Sequence, residues 1–320
     1  MSKPGILVPR PMRDVVMRGL EKRFALYKTF ESEDPDRAIA EAADHVRGAA
    51  ILGQKVDVAF LDKLPNLEIV ANFGVGYDNV DAHDCSARGI MVTNTPDVLT
   101  DEVADTALGL LIMTVRELSA AERWVRGGSW AAKGAFPLTK TTLIGRKLGI
   151  LGLGRIGKAI ARRAEAFGLE IHYHGRSRQA GVAYTYHDTL SGLAQTCDTL
   201  MLVAPGGEQT HHMVDATILK ALGPDGILIN IGRGSVVNEL DLIEALSSGT
   251  IHAAGLDVFE HEPNVPQALL DLENAVVLPH VGSASVHTRD AMGQLVVGNL
   301  VSWFDTGRAI TPVSETPQKE

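Results

Sequence analysis

The chain has 320 residues, long enough for about two domains of roughly 150 residues each. Its 45% hydrophobic and 22% charged residues suit packed globular cores and exclude a largely disordered chain. A net charge of −9 without any Lys/Arg block argues against a nucleic-acid partner, and no apolar run approaches the ~20 residues that cross a bilayer, so no membrane partner is expected. The opening MSKPGILVPR does not have the basic-then-apolar order of a signal peptide. Cys85 and Cys197 stand far apart with no CxxC or Cys/His cluster, so two buried thiols in a reducing cytoplasm are expected, with neither a disulfide framework nor a metal site.

In chain order, Gly5–Pro9, Phe24–Lys28, Ala49–Gly53, Glu68–Phe73 and Ile90–Thr93 read as strands. Helical stretches separate them near residues 11–21, 35–45, 57–63 and 81–88, an alternation that predicts a parallel sheet covered by helices. Asn94-Thr95-Pro96 interrupts the pattern, because a residue before proline is pushed out of the helical region. One long helix is expected from about Thr100 to Arg126, with Thr100 as N-cap and Asp101 and Glu102 at the positive end of its dipole. Its segment Ala107–Met113 is apolar on every side and predicts burial; Gly127-Gly128 should end the helix. Residues 128–146 read as an extended arm of the kind that contacts another subunit.

From Lys147 the alternation begins again, with strands expected at 147–151, 169–174, 199–203, 226–231, 253–258 and 275–279. His211-His212 reads as the start of a surface helix. The last element, Ser285 to about Phe304, carries Met292, Val296, Leu300 and Trp303 as a helical stripe before a polar tail after Val313.

The strand Lys147–Leu151 runs directly into Gly152-Leu-Gly154-Arg-Ile-Gly157, and the following segment has Ile156, Ile160, Ala164 and Phe167 on one helical face. A glycine triplet alone says little, but a strand before it and a helix after it make a dinucleotide-binding turn. Gly152 permits the tight turn, Gly154 lets a pyrophosphate approach the backbone, and Gly157 lets helix and strand pack closely. The helix start, with Arg155 and Ile156, offers N–H groups and partial positive charge to the anion.

An NAD enzyme needs an acidic residue at the end of the second strand to bind the ribose 2′-hydroxyl. Here the strand ends in His174-Gly175-Arg176-Ser177-Arg178, with two guanidiniums and a hydroxyl suited to a 2′-phosphate. NADP is therefore the expected cofactor, with NADPH preferred over NADH.

Three further segments fall at predicted strand ends: Asn230-Ile-Gly-Arg233-Gly-Ser, Gly255-Leu-Asp257-Val-Phe-Glu260-His-Glu262-Pro, and Leu278-Pro-His280-Val-Gly-Ser283. They supply an Arg, carboxylates and a His, the groups that a 2-keto acid requires. Arg clamps its carboxylate, His gives a proton to the carbonyl oxygen, and a carboxylate keeps that His charged and oriented.

These motifs in this order closely resemble the D-isomer-specific 2-hydroxyacid dehydrogenase family over nearly the whole chain, including Phe73-Gly-Val-Gly-Tyr-Asp-Asn-Val-Asp81 and Asn94-Thr-Pro-Asp-Val-Leu-Thr100. The resemblance implies two doubly wound α/β parallel-sheet domains. A Rossmann coenzyme domain, residues 99–285, would be inserted in a flavodoxin-like substrate domain of residues 1–98 plus 286–320. It implies that Arg233 binds substrate, that His280 is the acid/base, and that Glu262 pairs with it. The backbone of Val75 and Gly76 would hold the substrate carboxylate. Asp257 and the Ile231 carbonyl would face the nicotinamide amide, and Thr100 the phosphates. The loops at Ala204-Pro205 and Gly282-Ser283 would border the cofactor. One departure is Ala204-Pro-Gly-Gly-Glu208, where the family often has Pro-Leu-Thr-Pro.

Within the family the chain resembles the NADPH-preferring glyoxylate/hydroxypyruvate reductases and the hydroxyphenylpyruvate reductases. Reduction of a small 2-keto acid by a homodimer is thus the expected activity, with Trp130 a candidate for reaching the partner's active site. Aryl pyruvates and 2-ketogluconate are alternative substrates. A dinucleotide-sensing corepressor on the same fold is the distant alternative.

Overall fold

The computed structural model describes residues 3–316 and 318, and divides into two compact units, Met1–Leu99 with Ser285–Glu320 and Thr100–Ala284. The first contains β1 (Gly5–Val8), β2 (Ala25–Lys28), β3 (Val46–Ile51), β4 (Ile69–Asn72) and β5 (Met91–Thr93). All pair in parallel, in the order β2-β1-β3-β4-β5. This is a doubly wound sheet, whose ligands gather outside the carboxyl ends of the strands. β1 and β4 are buried throughout, which accounts for runs such as Gly-Ile-Leu-Val with no polar alternation. One face packs Ile39, Phe60, Leu61 and Leu64 against Leu7, Ala49 and Val70. The helix Val286–Thr306 has Ser285 as N-cap, accepting from the Thr288 N–H, and buries Met292, Val296 and Leu300.

The second unit holds seven parallel strands: β6 (Lys147–Leu151), β7 (Glu170–His174), β8 (Thr185–Tyr186), β9 (Thr199–Leu202), β10 (Ile227–Asn230), β11 (Ala253–Leu256) and β12 (Ala275–Val277). Their order is β12-β11-β10-β9-β6-β7-β8, so the direction of winding reverses between β6 and β9. β8 has only two residues at the sheet edge and was not expected from sequence, because no apolar run marks it.

Several expectations need correction. The long helix is two, Thr100–Val115 and Leu118–Arg126, separated by Glu117 in the left-handed region at φ 52°. Glutamate is a good helix former, so the break has no local signal. It falls where the chain leaves the core: the first helix buries eight residues and the second none. Thr100 lies inside the first helix and is not its N-cap. The arm at 128–146 includes a short helix, Ser129–Lys133. His211-His212 does not start a helix; it follows the 3-10 turn Glu208–Thr210, and the next helix opens at Ala216 with Asp215 as its cap. The polar tail after Val313 includes Thr316, which is buried and donates to the Val92 carbonyl at 3.2 Å. Pro317, Lys319 and Glu320 lie outside the described residues. Both cysteines are buried and unbridged, and burial pushes each thiol up to about 12.

Candidate active site

β6 ends at Leu151, and Gly152 turns the chain at φ 95°, a conformation that glycine adopts freely. A Cβ on Gly152 would lie 3.0 Å from the Ala204 nitrogen, so the loop after β9 closes directly on this turn. A Cβ on Gly157 would meet the Gly152 oxygen at 2.3 Å, and the helix Arg155–Ala166 can lie against β6 only because this position is bare. The N-cap of that helix is Gly154, which has no capping side chain and open space where a Cβ would stand. The helix start therefore presents N–H groups that no side chain covers, with room for an anion: the pyrophosphate of a dinucleotide fits here. Asp101 and Asp105 accept from Arg163 at 2.9 and 2.5 Å and tie the helix Thr100–Val115 to this one.

β7 ends in the half-buried His174, whose Nδ1–H donates to the His187 carbonyl at 2.8 Å. Arg176, Ser177 and Arg178 follow as exposed residues. Gln179 fastens their loop to the glycine turn: its Nε2 donates to the Leu153 carbonyl at 2.7 Å, and its backbone N–H donates to the Tyr173 hydroxyl at 2.9 Å. Gln179 was not singled out in the sequence, since a glutamine beyond the motif carries no signal of its own. On the other side of the turn, Ala204 is buried and the Pro205 carbonyl accepts from the Thr210 hydroxyl at 2.7 Å.

At the ends of β10, β11 and β12 lie the ionisable groups. Ile231 is buried, and Arg233 follows in extended conformation, its carbonyl accepting from Asn230 Nδ2 at 2.9 Å. Asn230, 1% exposed, also accepts from the Gly232 N–H at 3.1 Å, so both faces of its amide shape the Arg233 loop. Glu262 Oε2 accepts from His280 Nδ1 at 2.8 Å, while its Oε1 accepts from the Phe259 N–H at 3.1 Å. Burial opposes the charge on Glu262, but the His280 hydrogen bond and charge, the Phe259 N–H and Arg233 together hold it below the usual carboxylate range. With Nδ1 committed to Glu262, Nε2 of His280 is the nitrogen left for proton transfer.

His280 has φ 53°, a left-handed backbone that costs a non-glycine residue on the order of 1 kcal/mol. Asp257 holds it there. The Asp257 carbonyl accepts from the His280 N–H at 2.9 Å, and its carboxylate oxygens accept from Val281 and Gly282 at 2.7 and 2.8 Å. Asp257 is only 2% exposed, and burial raises its pKa despite these two N–H donors and the His280 charge. Ser283 is buried beside this loop, and the Gly282 carbonyl accepts from the Thr106 hydroxyl at 3.3 Å.

In the first unit, the turn after β4 is supported by amides. Asn72 Nδ2 donates to the Gly76 carbonyl at 3.0 Å, Asn94 Nδ2 to the Val75 carbonyl at 2.8 Å, and the Thr95 N–H to the Gly74 carbonyl at 2.9 Å. Three carbonyls are thus occupied, whereas no hydrogen bond among the described residues uses the N–H of Val75 or Gly76. Those two donors suit a carboxylate.

Comparison with known proteins agrees with this geometry. Residues 108–282 match the family model "D-isomer specific 2-hydroxyacid dehydrogenase, NAD binding domain". The chain is 47% identical over 316 residues to glyoxylate/hydroxypyruvate reductase A of Arabidopsis thaliana, covering 98% of this chain and 100% of that protein. It is 45% identical to hydroxyphenylpyruvate reductase of Plectranthus scutellarioides, with the same coverage of 98% and 100%. Among solved structures, NADPH-dependent glyoxylate/hydroxypyruvate reductase from Sinorhizobium meliloti, in complex with NADP and malonate, superposes with a TM-score of 0.93. It is 53% identical, over 100% of this chain and 99% of that one.

Proposed function

Because the chain belongs to the D-isomer specific 2-hydroxyacid dehydrogenase family, we propose that it reduces a small 2-keto acid to the D-2-hydroxy acid with NADPH, and that glyoxylate and hydroxypyruvate are its first substrates. The observation that carries the reading is the Glu262–His280 contact of 2.8 Å beside Arg233. A nicotinamide dinucleotide bound by the Gly152–Gly157 turn would supply hydride to the carbonyl carbon. His280 gives the proton to the carbonyl oxygen, and Glu262 holds the imidazole in the correct orientation. Arg233 pairs with the substrate carboxylate and draws charge from the carbonyl. Val75 and Gly76 are the backbone donors proposed for that carboxylate. Residues 1–98 with 286–320 are proposed as the substrate domain, and 99–285 as the coenzyme domain.

The test is initial rates for glyoxylate, hydroxypyruvate, phenylpyruvate and 2-ketogluconate with each reduced nicotinamide cofactor. Cofactor binding without oxidation by any keto acid would leave a dinucleotide sensor and end the enzyme reading. Aryl pyruvates form a second reading, favoured by the 45% identity to a hydroxyphenylpyruvate reductase.

The preference for NADPH is supported by a β7 end with no carboxylate and with Arg176 and Arg178 exposed to a 2′-phosphate. Two charge-assisted hydrogen bonds of about 1.5–3 kcal/mol each give a preference of about 10² or more. Replacing both arginines by alanine should remove it, raising the KM for NADPH about 10²-fold while leaving that for NADH within about threefold. Equal losses for the two cofactors would place the 2′-phosphate elsewhere.

A homodimer is supported by apolar side chains on residues 128–146, where Trp130, Leu138 and Ile144 are 61%, 98% and 86% exposed. Light scattering on the wild type and on Leu138→Glu/Ile144→Glu checks it, a monomeric wild type being the adverse result. Among the described residues no helix is long and apolar enough to cross a membrane, and the buried thiols suit a reducing compartment such as the cytoplasm.

A further inference from the structure

The turn Thr210–Met213 closes with the Met213 N–H donating to the Thr210 carbonyl at 3.3 Å. Its central residues are His211 at φ −60°, ψ 122° and His212 at φ 52°, the pattern of a type II turn. The second central position is normally glycine or asparagine, because a side chain there strains the backbone. A histidine in that place brings the two consecutive rings onto one side, where they stack with centroids 3.8 Å apart. Nε2 of His212 meets Glu260 Oε1 at 2.6 Å, and one ligand-capable atom from each of His211, His212 and Glu260 lies within 4.8 Å of the others.

A second carboxylate braces the Glu260 backbone. The backbone N–H of Glu260 donates to Glu239 Oε2 at 3.3 Å, and Glu239 is 7% exposed.

We propose that His211, His212 and Glu260 form a binding site for one divalent transition-metal ion of the zinc class. Two imidazole nitrogens and one carboxylate oxygen are the donor set that zinc, cobalt and nickel prefer over magnesium or calcium, and three protein ligands leave a position for water. Bonds of about 2.0–2.2 Å require the His212–Glu260 contact to open by less than about 1 Å, and the exposed His211 ring has room to follow. The ion would staple two loops. The first carries Pro205 and Thr210 and is held by the His212 N–H donating to the Ser235 carbonyl at 2.8 Å, two residues beyond Arg233. The second runs from Asp257 to Glu262. The ion touches no reacting atom, so its effect is to stiffen the loop that carries Glu262 and the segment hydrogen-bonded to the Ser235 carbonyl.

Titration calorimetry of the full-length protein with zinc chloride is the test, read by binding and not by turnover. One zinc per chain is expected, with the unfolding midpoint raised by about 2–4 °C at a zinc concentration about ten times the dissociation constant. Cobalt should show d–d absorption in the visible. His211→Ala removes an exposed side chain; it should keep the metal-free reductase rate and lose zinc affinity by at least tenfold. Glu260→Gln should lose it as well. Absence of zinc binding to the wild type, equal affinity in His211→Ala, or magnesium binding as tightly as zinc would each overturn the site.

Discussion

At the carboxyl ends of the two sheets the same topological position has been built from different materials. After β4 the turn at residues 73–77 carries no charged side chain: Asn72, Asn79 and Asn94 hold it through amide hydrogen bonds, and it offers N–H groups. After β10, β11 and β12 the loops are charged, and one of them is strained, with His280 at φ 53° fixed by a buried Asp257. A neutral, fully braced turn holds a ligand without reacting; its donors interact about equally with ground and transition states. A charged loop with an ion pair moves a proton, and its contribution depends on pH. The comparison separates binding from chemistry, so damage to the two regions should appear in different kinetic constants.

The largest effect is expected at His280. His280→Ala should lower kcat by about 10²–10⁴ with little change in cofactor binding, since it removes the proposed proton donor and leaves the glycine turn intact. A loss below tenfold in steady-state kinetics would show that the proton comes from another group. Glu262→Gln acts on the same pair more gently. Glu262 is held below the usual carboxylate range, so it is charged throughout neutral pH. A neutral amide in its place gives the imidazole a weaker anchor, and kcat for keto-acid reduction should fall by about tenfold. The Glu262 carboxylate also links stability to pH. A carboxylate with a depressed folded pKa contributes stability above its ordinary pKa, and that contribution disappears as pH falls through the folded value. Wild type and Glu262→Gln should therefore converge in unfolding midpoint in acid. An unchanged kcat would count against the pair.

The contrast between the two regions also marks what could be read in the sequence. Most strands were legible because they are short, largely apolar runs that the fold buries, as in Gly5–Val8 and Ile227–Asn230. The glycine turn and the order Arg233, Glu262, His280 were legible because those residue types are required at strand ends. The break at Glu117 and the two-residue β8 were not, because burial and sheet-edge position decide them and local propensity does not. The supports were equally hidden. Asp257 reaches the N–H groups of residues 281 and 282, and Gln179 reaches the Leu153 carbonyl. Such bonds join loops 24–26 positions apart, and no spacing rule announces them. A side chain bonded to a distant backbone is a product of the folded register, so a motif shows the candidate reacting groups but not what holds them.

The smallest effect, and the sharpest check on the neutral turn, is expected at Asn94. Its side chain is half-buried, donates to the Val75 carbonyl at 2.8 Å, and is itself fixed because its backbone carbonyl accepts from the Thr311 hydroxyl at 2.7 Å. Asn94→Ala removes one neutral hydrogen bond worth about 1 kcal/mol and leaves Asn72 and Thr95 still bracing the turn. If the turn only binds a carboxylate, the lost rigidity weakens ground and transition states alike: KM for the keto acid should rise about fivefold, with kcat within about twofold. The pH profile should stay where it is, because no titrating group has been touched. A fall in kcat at unchanged KM would mean that the amide-built turn also aligns the substrate for reaction, and the division between a binding sheet and a reacting sheet would have to be abandoned.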